Sequence, residues 1–353
     1  MKSIKTVLVT GGAGYIGSHT CLYLLEQDYK VFVIDSLVNS SSESLERIKF
    51  ILKKDKQRKD KNLKFYQGSL NNKEFIDGVF FKASNEGNKI DAVIHFAGFK
   101  SVKESVQNPF LYWQNNVSGT INLVSVMNKY LCNKIVFSSS ATIYKPNNFN
   151  LINENCAKEP INPYGNTKRV NEIFLSDVFK SQSEKWGVIN LRYFNPIGAH
   201  PSGMIGESPK GMPNNIFPII MRIASSYNQY LKVFGNDWPT RDGTCIRDYI
   251  HITDLAKGHI QALKLLNKTK STEISINLGT GQGTSVLELI KIFEEVNQIK
   301  INYIFSDRRE GDSPILVADN SLANKILDWV PQKTIQDMCK DGWNWKLKNP
   351  NGY

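Results

Sequence analysis

An α/β fold, with a doubly wound (Rossmann), mostly parallel sheet and a smaller mixed α/β region, is predicted by three features of the sequence. Short β-branched runs alternate with longer amphipathic stretches as far as Asn195. A glycine-rich turn joins the first run to the first helix-spaced stretch. Beyond that point the alternation stops and Pro and Gly become frequent, as in NPIGAHPSGMIGESPKGMPNN. Strands alternating with helices imply parallel βαβ units, and in such sheets a ligand lies beyond the carboxyl ends of the strands. The expected division is a Rossmann domain over residues 1–195 and a second region over 196–353, with the site between them.

Each element has its own signal. KTVLVT ends at the glycines, and YIGSHTCLYLLEQ carries apolar residues at helical spacing. KVFVID reads as a buried strand, followed by a polar helix from about Ser41 to Lys54. LKFYQ, DAVIHFAG and NKIVFSSS are three more strands, with a long helix from Pro109 to Tyr130 between the last two. Another helix follows Pro163, because proline suits a first helical turn. WGVINLRYF is a further strand.

Composition narrows the function. Hydrophobic residues make up 41% of the 353, and no window approaches the ~18 uninterrupted apolar residues of a membrane helix. Lys2 and Lys5 before VLV resemble the start of a signal peptide, but Gly, Thr and His break the apolar run. A cytoplasmic protein with no membrane partner is expected. Cys21, Cys132, Cys156, Cys245 and Cys339 are odd in number and never spaced C-x-x-C, which argues against a disulfide framework or a metal site. The formal charge of +11 gathers in KKDKQRKDKNLK, Lys53 to Lys64, where acids interrupt the bases. A solvated helix end and loop explains that run better than a nucleic-acid site does. The remaining positive charge suits a small anionic substrate.

Gly12, Gly14 and Gly17 satisfy G-x-G-x-x-G, and Gly11, Gly14 and Gly17 satisfy G-x-x-G-x-x-G. Such a turn lets backbone N–H groups approach a pyrophosphate at a helix N-terminus. Alone, the pattern also fits a turn with no ligand; directly after a strand and before a helix, it points to a dinucleotide. Asp35 ends the second strand, where a carboxylate accepts hydrogen bonds from an adenosine ribose and repels the extra phosphate of NADP. NAD is the expected cofactor.

Ser140 closes the strand in SSSATIY, and PYGNTK opens a helix with Tyr164 and Lys168 four residues apart on one face. A tyrosine acting as a base near neutrality needs its pKa lowered by about 3 units. The Lys168 ammonium and an oxidised nicotinamide have the right sign for that shift. Ser140 is placed to donate to the same reacting oxygen. Y-x-x-x-K is common by chance; with the glycine turn it becomes specific.

The glycine turn, HFAG, SSSAT and Y-x-x-x-K resemble the extended short-chain dehydrogenase/reductase family. VTGGAGYIGSHT, VIHFAGFKSVKESV, NNVSGT, LRYFNPIGAHPSG, FGNDWPTRDGTCIRDYIH and RREGD resemble, within it, the UDP-glucose 4-epimerase family (also called UDP-galactose 4-epimerases) along almost the whole chain. That resemblance implies an isomerase of galactose metabolism that interconverts UDP-glucose and UDP-galactose. C4′ is oxidised through bound NAD, the 4-keto sugar rotates, and the hydride returns to its opposite face. The site residues follow from the resemblance. Gly11, Gly12, Gly14, Tyr15, Ile16, Gly17, Asp35, Asn39, Ser69, Leu70, Phe96, Ala97, Gly98, Lys100, Asn115 and Phe194 would hold NAD, with Ser140, Tyr164 and Lys168. Ser140, Tyr164, Asn195, Asn215, Phe234, Arg247, Arg309, Asp312 and Leu316 would meet the UDP-sugar. The two arginines would face the diphosphate, Phe234 the uracil and Asp312 its ribose. It also implies a homodimer paired through helices beginning near Pro109 and Pro163.

Departures from the pattern matter. Ser69 stands where an aspartate usually contacts the adenine, Lys145 where glycine is usual, and Arg241 where the residue is acidic or neutral. Leu316 is intermediate between the bulky residue that restricts the sugar pocket to hexoses and the small one that admits N-acetylated sugars. Two rivals stand beside this reading. A sugar-nucleotide 4,6-dehydratase needs an acid beside the catalytic serine, where Ala141 and Thr142 follow Ser140. A redox-sensing binding protein would not need Ser140, Tyr164 and Lys168 together.

Overall fold

A computed structural model describes residues 3–54, 62–145, 151–211, 213, 215–226, 229–309 and 312–353. Most of the basic run Lys53–Lys64 lies outside the described residues. The first half reads β1 (Thr6–Thr10), α1 (Tyr15–Glu26), β2 (Lys30–Asp35), α2 (Glu43–Lys54), β3 (Leu63–Gln67), α3 (Lys73–Asn85), β4 (Ala92–His95), α4 (Val102–Gln107), α5 (Pro109–Tyr112), α6 (Gly119–Lys129), β5 (Lys134–Ser140), α7 (Pro163–Ser181) and β6 (Gly187–Tyr193). The second half adds β7 (Asn195–Ile197), α8 (Ile216–Ala224), β8 (Leu231–Phe234), β9 (Ile246–His251), α9 (Ile252–Lys268), β10 (Thr272–Leu278), β11 (Gly283–Ser285), α10 (Val286–Asn297), β12 (Tyr303–Ser306), β13 (Ile315–Leu316), α11 (Ser321–Leu327) and α12 (Ile335–Lys348).

Seven strands in the order β10-β6-β5-β4-β1-β2-β3 form one sheet with every neighbouring pair parallel. Its central strands are buried on both faces, which is why they read as unbroken apolar runs. Along β1, Val7 and Val9 pack on one side with Leu22, Leu45, Leu255 and Leu263 from α1, α2 and α9. Leu8 faces the other side with Ile76, Leu123, Met127 and Leu175 from α3, α6 and α7. The doubly wound expectation is met. Because β1 is flanked by β2 and β4, a crevice opens at its carboxyl end, where chain connections leave in opposite directions.

Two differences from the sequence reading matter. The sheet crosses residue 195: β10 pairs with β6 in parallel and α9 packs on α1. The β6-to-β10 crossover runs through the Pro- and Gly-rich segment, whose texture hides it. The helix expected over Pro109–Tyr130 is instead α5, a π-helical turn at Trp113–Ser118 and α6. π turns re-aim side chains within a helix, and this one carries Asn115 and Asn116.

The remaining strands make small sheets. β9 lies between β11 and β13 and also pairs with β7, while β8 pairs with β12. A separate core of Ile197, Phe217, Ile220, Leu289, Phe293 and Met338 supports them.

Candidate active site

The turn after β1 is built on exclusion. Gly11 has φ +68°, and a Cβ there would stand 2.7 Å from Ala97 N. A Cβ at Gly17 would stand 2.2 Å from the Gly11 carbonyl. Only glycines allow the turn to touch the loop after β4 and α1 to begin at once. Asp35 fastens the arrangement: Oδ2 accepts from Ala13 N at 3.0 Å, and Oδ1 from Leu37 N at 2.9 Å and Ser40 Oγ at 2.8 Å. A carboxylate has about four acceptor positions, so capacity for a ribose remains. Ser40 escaped the sequence reading because no motif marks it.

These loops enclose a cleft of about 230 Å³. Gly11, Gly14, Tyr15, Ile16, Gly17, Asp35, Asn39, Ser69, Leu70, Phe96, Ala97, Gly98, Lys100, Asn115, Tyr164 and Lys168 line it. Gly12 instead faces Val33 and Cys21 in the core, and Phe194 packs with Tyr144 and Ile152. Ser138, Tyr193, Gly206, Glu207 and Tyr353 also line the cleft; Ser138 and Tyr193 fall within quoted motifs but were not singled out, and the other three carried no sequence signal. Asn116 acts one layer back. Its Oδ1 accepts from Phe99 N at 2.8 Å and its Nδ2 donates to Phe99 O at 3.0 Å, fixing the loop that holds Phe96–Lys100. The glycine cradle, the anchored Asp35 and the open N-terminus of α1 fit a dinucleotide.

Beside the cleft, Ser140 ends β5 and its Oγ accepts from Thr142 N at 3.2 Å. Asn162 caps α7, accepting from Gly165 N at 2.8 Å, and Pro163 fills the first helical position. A Cβ on Gly165 would lie 2.6 Å from Thr142 O, so glycine lets α7 press its first turn onto the end of β5. That contact brings Tyr164 to Ser140 and Lys168 to Ser138. Burial pushes the Tyr164 phenol up to about 12, opposed by its hydrogen bond with Ser140. Lys168 Nζ lies 5.9 Å from the Tyr164 ring centroid and donates to Ser138 O at 2.6 Å. Burial lowers Lys168 to about 8, against the charge of Glu172.

A buried polar network backs the pair. Arg192 donates through Nε and Nη2 to both oxygens of Glu172, at 2.9 and 2.7 Å, and Ser139 Oγ donates to Glu172 at 2.6 Å. Tyr144 receives the remaining guanidinium arm at 2.9 Å and donates to Asn277 at 2.6 Å.

The second group gathers on the small sheet. Asp312 joins the two arginines, receiving Arg309 Nε at 3.0 Å and Arg247 Nη2 at 3.4 Å. Arg309 stacks 4.7 Å over Phe234. Leu316 pairs in register with Arg247 and packs against the cluster of Ala141, Tyr144 and Phe194, joining this group to the catalytic strand. Asn195 sits on β7 beside β9, and its buried Oδ1 has no partner among the described residues. Asn215 is the N-cap residue of α8, with no side-chain capping bond. Of the departures, Ser69 lines the cleft, Lys145 pairs with Glu159 at 2.8 Å on the surface, and Arg241 pairs with Glu288.

Fold and site together define an enzyme of nucleotide-sugars on a dinucleotide-binding scaffold. A family model described as GDP-mannose 4,6 dehydratase matches residues 8–342. The chain is 49% identical to the UDP-glucose 4-epimerase of Bacillus subtilis (strain 168), over 98% of each chain. Among solved structures it is similar to UDP-glucose 4-epimerase from Bifidobacterium longum in complex with NAD+ and UDP. There the TM-score is 0.91 and the identity 42%, covering 99% of this chain and 100% of that one. It is equally similar to the Stenotrophomonas maltophila enzyme with bound NAD and formylated UDP-arabinopyranose. The TM-score is again 0.91, with 40% identity over 98% of this chain and 99% of that one. The chain belongs to the UDP-glucose 4-epimerase family.

Proposed function

We propose that this chain is an NAD-dependent isomerase that interconverts UDP-glucose and UDP-galactose. The observation that carries the reading is the glycine cleft lined by Tyr164 and Lys168, with Leu316 linking the Arg247–Asp312–Arg309 cluster to the residues just after Ser140. NAD supplies the acceptor and donor of the C4′ hydride when bound. Tyr164 takes the proton of the 4′-hydroxyl and returns it, with Ser140 hydrogen-bonded to the same oxygen. Lys168, held by Ser138 O, orients the ribose of the cofactor. Arg247 and Arg309 grip the diphosphate, which guanidinium forks suit. A firm hold on UDP and a loose one on the hexose let the 4-keto sugar present its other face. The stretch Ala141–Thr142 beside Ser140 supplies no carboxylic acid, which disfavours the 4,6-dehydratase reading.

In this reading residues 1–195, with α9 and β10, hold the cofactor, and the rest of 196–353 holds the UDP-sugar. The setting is the cytoplasm and galactose metabolism. Apolar side chains on α4 to α7 support a homodimer: Phe110 is 90% exposed, and Val106, Leu111, Ile121 and Ile173 on the same helices are also exposed. Purified protein given UDP-galactose, with no NAD added, should form UDP-glucose at twice the monomer mass. A dehydrated 4-keto-6-deoxy product, or no turnover by cofactor-loaded protein, would overturn the assignment.

A further inference from the structure

The segment Gly198–Lys210 contributes Gly206–Pro209 to the lining of the dinucleotide cleft and is tied to three of the loops that form it. Its first carbonyl, Gly198 O, accepts from Tyr15 OH at 2.6 Å, next to the glycine turn. Its last residue donates from Lys210 N to Asn39 Oδ1 at 2.8 Å and from Nζ to Leu37 O at 2.5 Å, on the loop after β2. Between them Glu207 pairs with Lys100, on the loop after β4, at 2.9 Å. From behind, Tyr353 OH accepts from Gly206 N at 3.0 Å and donates to Gly206 O at 3.2 Å. A Cβ on Gly206 would stand 2.5 Å from the Trp345 ring, so the strap has no slack at that point.

The Glu207–Lys100 pair is asymmetric. The Glu207 side chain is 7% exposed and that of Lys100 is 50% exposed. A carboxylate so enclosed depends on its cation, whereas the ammonium has three protons and keeps two for other acceptors in the cleft. We propose that Glu207 is a positioning residue: it fixes the Lys100 ammonium in the cleft, where it would meet the phosphates of a bound NAD, and, with Tyr353 clamping Gly206, latches the strap so that latch opening sets the rate of NAD release. This rests on the reading of the cleft as an NAD site.

The experiment loads wild type, Glu207→Gln and Tyr353→Phe with NAD and follows its dissociation by stopped-flow fluorescence. Losing a hydrogen bond to a charged group should speed release from Glu207→Gln by about 10-fold. Tyr353→Phe, which keeps the ring, should move in the same direction. Hydrogen exchange on cofactor-free Tyr353→Phe should rise at the Gly206 amide and across 198–210, with β1 and β4 unchanged. Release at the wild-type rate from both variants would overturn the latch, as would exchange rising throughout the sheet. If wild-type protein held no NAD at all, the cofactor reading would fail instead, and the two failures are thereby distinguished.

Discussion

Lys168 donates its ammonium to the carbonyl of Ser138 at 2.6 Å, a backbone anchor that leaves the charge buried beneath Tyr164. Burial holds its pKa near 8, below the usual lysine value. The folded state therefore binds fewer protons than the unfolded chain between about pH 8 and 10.5. Its stability must rise with pH across that window and lose the gain as pH falls through 8. Comparing urea midpoints of cofactor-free wild type and Lys168→Met at pH 7 and pH 10 isolates this group. Wild type should gain on the order of 3 kcal/mol relative to the variant on going to the higher pH. A constant difference would mean that the ammonium is not paying a burial cost.

Burial raises Tyr164 to about 12, so its proposed role as a base requires positive charge brought by the cofactor. Tyr164→Phe keeps the ring and removes the proton carrier. Its kcat with UDP-galactose should fall by about 10²–10⁴-fold, while NAD remains bound by the glycine cleft. Steady-state kinetics together with the absorbance of bound cofactor check both halves. An unchanged kcat would remove the phenol from the mechanism.

Arg192 and Glu172 are both 3% exposed and bonded through two parallel arms. Breaking such a pair by removing one charge leaves the other buried and unpaired. Glu172→Gln should cost about 3–5 kcal/mol in urea unfolding. The double variant Glu172→Leu/Arg192→Met should recover much of that loss, since no stranded charge remains. A double variant as unstable as the single one would show that the pair's hydrogen bonds to Ser139 and Tyr144 dominate.

Much of this was legible in the sequence because the relevant signals are local. The strand-to-helix glycine turn, Asp35 at a strand end and Tyr164–Lys168 on one helical face each sit within a single element. What escaped depends on chain segments far apart in sequence. Asn116 supports Phe99 from 17 positions away and Glu207 meets Lys100 from 107. Strand β10 joins the sheet only after the whole loop-rich segment has passed. The burial that raises Tyr164 was not legible in the sequence for another reason. Neighbouring charges can be guessed from spacing, whereas the desolvation that outweighs them depends on packing from every side.

Leu316 is the residue through which the proposed function bears on substrate choice. It is half-buried against Phe194, Tyr144 and Ala141, within the cluster that begins one residue after Ser140. If Leu316 borders the sugar as the proposed function has it, a tyrosine there takes up room that an N-acetyl group needs more of than a hydroxyl does. Leu316→Tyr should lower kcat/KM for UDP-N-acetylgalactosamine at least about 10-fold more than for UDP-galactose, as steric exclusion of a few atoms allows. Assaying wild type and variant with both substrates gives the ratio directly. Equal losses would mean that the new ring disturbs the shared cluster rather than the sugar pocket, and Leu316 would then have no part in specificity.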